Sequence, residues 1–207
     1  MTTASSERQA LADLMLEVGP DAPTLCEGWT VADLAAHLVL RERRPDAAAG
    51  IVVPALADYT ARVQRIVRDA RPFRALVEQF RSGPPAPLRM LDEAVNAVEL
   101  FVHHEDVRRA GDEPLAPRRL DARSERLLWA RLRWLSLLAR RRVPCGLTLE
   151  APDVGRVVVR SGEPHVTLTG RPGELVLFMT GRQRAADVEA DGPADAEAAL
   201  RGARLGL

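Results

Sequence analysis

The run from Leu88 to Ala110 contains neither proline nor glycine, and it constrains the rest of the chain. An uninterrupted run of this length reads as one long helix. At about 100° per residue, Leu91, Val95, Val98 and Val102 gather on one side as an apolar stripe, expected to face a core. Glu99, His103 and Asp106 fall along the flank of that stripe, whereas His104 falls opposite and is expected to face solvent. An acid and an imidazole four residues apart on one flank make part of a metal-ligand set. Such a set needs a third ligand from another element.

The chain has only four histidines. His37 is the natural third ligand. It lies in Trp29-Thr30-Val31-Ala32-Asp33-Leu34-Ala35-Ala36-His37-Leu38, where Thr30 and Asp33 spell a capping box that starts a helix. Val31, Leu34 and Leu38 face the core of that helix and His37 sits on the edge of the same face, while Trp29 is placed to staple the start against Leu34. His37, Glu99 and His103 together form a two-histidine, one-carboxylate set, which leaves a fourth position for water or substrate. Zinc suits it, and so do nickel, iron or manganese, because ligand type alone does not select the metal. Asp106 is placed to accept the second ring N–H of His103 and fix its tautomer. Asn96, one turn before Glu99, could support that carboxylate in a similar way. Cys26 reads as a buried structural cysteine and His165 as a surface residue, so neither is assigned to the site.

Elsewhere, a first helix spans Ser5 to Val18 and stops at Gly19-Pro20. The second ends near Arg44-Pro45. A third runs from Pro54 to Ala70 and resumes from Pro72 to Arg81 after a proline kink or break. The loop 82–87 precedes the Leu88 helix, which is expected to close on a left-handed Gly111. Four amphipathic helices joined in this way suggest an antiparallel bundle. The segment Asp112 to Pro117 is the expected domain boundary. A helix from Asp121 to Arg142 follows, carrying Leu127, Leu128, Leu132, Leu135 and Leu138 with Trp129 and Trp134; its arginines read as a solvated face. Leu147–Glu150, Gly155–Arg160 and His165–Thr169 alternate as strands, and Ala186–Ala190 is a candidate fourth. Pro172–Thr180 and Ala194–Arg204 complete a small α+β unit.

Composition removes several classes. The 207 residues carry 29 basic and 29 acidic side chains, so no general electrostatic footprint for nucleic acid exists. All the basic residues are arginine, a signature of GC-rich coding. No apolar run reaches the ~20 residues that span a bilayer. The N-terminal segment Met1–Arg8 lacks the apolar core of a signal peptide, so a cytoplasmic protein is expected. Cys26 and Cys145 form no C-x-x-C, which argues against a disulfide framework or a cysteine zinc site. A monomer or a homodimer is expected.

The stretch Leu25-Cys26-Glu27-Gly28-Trp29-Thr30-Val31-Ala32-Asp33-Leu34-Ala35-Ala36-His37-Leu38 resembles the "GWTV-x-DL-x-x-H" motif of the mycothiol-dependent maleylpyruvate isomerase family, part of the DinB/YfiT-like superfamily of metal-binding four-helix bundles. Glu99-x-x-x-His103-x-x-Asp106 is similar to the family's second motif, and the resemblance covers residues 5 to 110. Gly173–Arg182 resembles part of its smaller C-terminal domain. The resemblance implies a mainly α chain: a DinB-like antiparallel four-helix bundle over residues 1–113, then a connecting helix and a small sterol-carrier-like α+β domain over 114–207. It implies a divalent metal, usually zinc, on His37, Glu99 and His103. It also implies mycothiol as cosubstrate, adding to or attacking a small electrophile in an isomerase or transferase reaction. Arg182, by likeness to the family's tail motif, and Arg41, from spacing, are candidates to hold an anionic substrate beside Asp106. The chain is short for the isomerase. Two other readings compete: a non-catalytic module holding an apolar ligand in the C-terminal domain, and a metallohydrolase using Asp106 or Glu105 for proton transfer.

Overall fold

The computed structural model describes residues 2–51, 53–86, 92–111 and 115–206. The chain is mainly helical, with a small four-stranded sheet towards its C-terminal end. It divides into two compact units, Met1–Leu115 and Ala116–Leu207. The expected boundary at Asp112–Pro117 overlaps residues 112–114, which lie outside the described residues.

In the first unit, α1 (Thr3–Val18) starts on Thr2, whose side chain accepts from Ser5 N, and ends at Gly19, whose φ of 86° suits glycine. Glu93 reinforces that start: its carboxylate accepts from Thr3 N at 3.1 Å and Ala4 N at 2.7 Å. α2 (Val31–Arg43) begins with a complete capping box between Thr30 and Asp33. It is central, with Val31, Leu34, Ala35, Ala36, Leu38, Val39 and Leu40 all buried. Pro45 opens α3 (Pro45–Ala48), and short 3-10 turns at Ala49–Ile51 and Pro54–Leu56 lead to α4 (Ala57–Asp69). Pro72 then breaks the chain, because it lacks the N–H a continuing helix needs, and α5 (Phe73–Arg81) is a separate helix.

α6 (Asp92–Arg108) packs most closely on α1. Three expectations for it are corrected. The stripe centred on Val95 is not a core face along its length: Val95 is 57% exposed, although Val102 at nearly the same azimuth is buried. Leu91, the start of that stripe, lies outside the described residues. His104 is 6% exposed, because α1 covers that side and presents Glu7 to it. Gly111 is not left-handed, since the helix has already ended at Arg108. From Leu100 to Val107 the helix is covered all round.

In the second unit, α7 (Ala122–Ala139) is capped by Asp121, which accepts from Arg123 N and Ser124 N. It buries Leu128 and Leu132, whereas Trp134 is 69% exposed and Leu138 also faces outward. β1 (Gly146–Ala151), β2 (Gly155–Arg160), β3 (His165–Thr169) and β4 (Glu189–Asp191) form a sheet ordered β2-β1-β3-β4. β1 pairs antiparallel with β2 and parallel with β3, and β3 pairs antiparallel with β4. β4 starts three residues later than the alternation at Ala186 suggests, since Asp187 N is drawn to Glu174 Oε2 at 2.9 Å. α8 (Pro172–Met179) is wholly buried, and α9 (Ala194–Gly202) closes the chain. Among the described residues, no helix is long and apolar enough to cross a membrane.

Candidate metal centre

α2 and α6 place His37, Glu99 and His103 together in the first unit. One ligand atom from each lies within 4.8 Å of the others. His103 Nε2 is 3.3 Å from Glu99 Oε1, and His37 Nε2 is 3.9 Å from that same oxygen. The two rings meet edge to face, with centroids 5.5 Å apart. Zinc–ligand bonds of about 2 Å set neighbouring donors ~3–4 Å apart, so this donor set fits a divalent metal after small adjustments. Both imidazoles are buried and Glu99 is 32% exposed, which leaves the carboxylate as the solvent-facing member.

The second side of His103 is also engaged. Its Nδ1 lies 2.9 Å from Asp106 Oδ2, and Asp106 is fully buried. A ring nitrogen that donates to a carboxylate keeps its proton, so the opposite nitrogen is the one available to a metal. Asn96 does not touch Glu99 in this arrangement. It accepts from Arg41 and donates to Asp92 Oδ1 at 2.7 Å, and Arg41 Nε in turn stands 3.6 Å from Glu99 Oε1. Arg41 therefore sits at the edge of the site. Arg182 belongs to the second unit, where its guanidinium donates to Thr180 O at 2.6 Å.

The electrostatics follow from this packing. Burial raises the Glu99 carboxyl, but hydrogen bonds from His103 and His37 and the nearby charges of His103 and Arg41 outweigh it. The carboxyl is held well below its usual range. Burial lowers His37 below the ordinary imidazole value, more than Glu99 can restore. Burial lowers His103 too, yet its bonds with Asp106, Cys26 and Glu99 outweigh that and hold it well above the ordinary value.

Two neighbours were not assigned to the site by sequence reasoning. Cys26 Sγ lies 3.2 Å from Asp106 Oδ2 and 3.9 Å from His103 Nδ1. Trp29 sets its ring 5.0 Å from that of His37. Both belong to the loop before α2, and the signal available in the sequence was their closeness to His37 in the same short stretch.

The family model of the mycothiol maleylpyruvate isomerase N-terminal domain matches residues 4–142. The chain belongs to this family. The match to the mycothiol maleylpyruvate isomerase N-terminal domain takes in every helix that carries the site and continues through α7. A search of curated proteins finds no match, and a search of solved structures finds none.

Proposed function

We propose that this member of the mycothiol maleylpyruvate isomerase family binds one divalent metal, zinc first among the candidates, through His37, Glu99 and His103. In this reading it uses a low-molecular-weight thiol, mycothiol, in a transferase or isomerase reaction on a small electrophile. The single observation that supports it is the convergence of two imidazole Nε2 atoms on one carboxylate oxygen, 3.3 and 3.9 Å away. The surrounding fold is read as a DinB-like antiparallel bundle, followed by a small domain of sterol-carrier-like type. The protein is read as cytoplasmic, a monomer or a homodimer, with no nucleic-acid partner.

A bound divalent metal supplies positive charge that favours the thiolate form of a thiol beside it. The chain's own residues do the rest. With a metal bound, His37 and His103 would each present a deprotonated nitrogen, Asp106 holding the remaining proton of His103 on Nδ1. Arg41, next to Glu99 at the edge of the site, is placed to meet an anionic group on the substrate, as a charge-assisted hydrogen bond from a guanidinium requires. Arg182, in the second unit, is proposed as an anion-holding residue on the family resemblance alone. The metallohydrolase reading is disfavoured. Asp106 is engaged with His103 and Cys26, Glu105 is engaged with Arg108 and Arg109, and both acids are fully buried.

The test begins with metal content by mass spectrometry on untagged protein, beside His37→Ala and His103→Ala. About one metal per chain, lost in both variants, is expected for a three-ligand site. Turnover of small electrophiles is then measured with and without added thiol. Absence of metal from every sample, with reconstitution failing as well, would refute the proposal; turnover independent of thiol would refute the thiol assignment alone.

A further inference from the structure

We propose that Cys26 is a positioning residue of the metal centre: its thiol pins the Asp106 carboxylate and thereby aims His103 at the metal. The inference rests on the metal reading above. Asp106 Oδ2 accepts hydrogen bonds from His103 Nδ1 at 2.9 Å and from Cys26 Sγ at 3.2 Å. A carboxylate held by one donor can still turn about its terminal torsion, which is broad and soft. A further donor on the same oxygen narrows that freedom and so helps to hold the carboxylate where His103 meets it.

The main chain that carries the thiol is itself held. Cys26 N donates to Thr24 Oγ1 at 3.2 Å, Trp29 N donates to Cys26 O at 3.0 Å, and Leu25 N donates to the backbone oxygen of Asp106 at 3.0 Å. The loop therefore grips Asp106 through both main chain and side chain. Its far end, Trp29, rests on His37. One short segment thus supports both histidines, which stand on two different helices.

Cys26, His103 and Asp106 also fall within 4.8 Å of one another, as a ligand set for a thiophilic metal would. The geometry favours the supporting role. At 2.9 Å from the carboxylate, His103 Nδ1 is a hydrogen-bond donor, and a nitrogen carrying a proton has no lone pair for a metal. In the supporting role the sulfur acts through Asp106.

The experiment compares wild type, Cys26→Ser, Cys26→Ala and His103→Ala as full chains. It uses zinc and cobalt affinity against a chelating dye, the cobalt absorption spectrum, and the thermal midpoint of each metal-free protein. Serine keeps an O–H donor, and alanine keeps none. Losing an outer partner of a ligating histidine typically weakens metal binding 10–100-fold; Cys26 acts one step further out, so Cys26→Ala is expected at the low end, about tenfold weaker, and Cys26→Ser within about threefold of wild type. The metal-free midpoints of the two variants are expected to agree, which separates positioning from a loss of packing. Unchanged affinity in Cys26→Ala, or a serine variant as weak as the alanine one, would overturn the proposal. A sulfur-to-cobalt charge-transfer band, lost in Cys26→Ser, would overturn it in favour of direct ligation. His103→Ala distinguishes the two readings: if it abolishes binding while Cys26→Ala does not weaken it, the metal site stands and only the role of Cys26 falls.

Discussion

His104 Nδ1 lies 2.8 Å from Glu7 Oε2, so the seam between α1 and α6 is closed by a polar pair that water scarcely reaches. Removing one partner of a buried hydrogen bond leaves the other to bear its desolvation cost, on the order of 1–3 kcal/mol. Glu7→Ala is expected to lose stability in that range in urea unfolding. A double variant, Glu7→Leu with His104→Leu, is expected to recover part of the loss, because neither member of the pair is then left facing an empty partner position. Identical stability of the single variant and wild type would show that the pair contributes nothing.

Glu105 carries a larger liability. It is fully buried and receives Arg108 Nη1 at 3.1 and 2.9 Å, together with Arg109 Nε. Arg109 is also buried. Breaking a buried ion pair by removing one partner typically costs about 3–5 kcal/mol. Glu105→Ala is expected to reach that range by calorimetry or denaturant titration, and to exceed the effect of Glu7→Ala.

The start of α2 gives a pH-dependent prediction. Burial raises the Asp33 carboxyl, but hydrogen bonds from Thr30 and from Arg68 outweigh it and hold it below its ordinary value. A carboxyl depressed in the folded state adds stability above its unfolded value of about 3.9 and loses it as the pH falls through the folded value. The stability gap between wild type and Asp33→Asn is therefore expected to be full at neutral pH and to shrink in acid. Thr30→Ala removes the cap itself and is expected to cost about 1 kcal/mol at neutral pH, less in acid because the Thr30 hydroxyl also donates to the Asp33 carboxylate.

If the proposed metal site is right, metal and proton compete at His103. Its value in the folded chain is held well above that of an ordinary histidine, through Asp106, Cys26 and Glu99 and against the effect of burial. In the metal-free protein this protonated ring adds stability that is complete below about pH 6.5 and fades as the pH rises through the folded value. A metal must displace the Nε2 proton, so its apparent affinity is expected to climb as the pH rises over the same window. Calorimetry in two buffers of different ionisation enthalpy checks this, with about one proton released per metal as the expected result. Release of no proton would exclude His103 as a ligand protonated beforehand.

The parts of the molecule that one element determines could be read from sequence. The Thr30–Asp33 capping box is such a part, being a pattern of four consecutive residues. The shared flank of Glu99 and His103 is another, since helical pitch alone brings i and i+4 together. What escaped depends on partners far along the chain. His104 was assigned to solvent because amphipathic reading allows a helix one dry side, whereas α1 covers a second. Cys26 escaped because its partner is 80 positions away and nothing in a loop's periodicity announces it. The early end of α6 made Gly111 superfluous as a helix cap.

The full enclosure of α6 between Leu100 and Val107 has a consequence for the protein's history. A helix with one wet side can drift at every third or fourth position, but here His104 meets the flank of α1, Asp106 meets the loop before α2, and His103 belongs to the candidate metal site. Within this segment change is expected to come in compensated pairs, whereas Val95, 57% exposed one turn before Glu99, can vary alone.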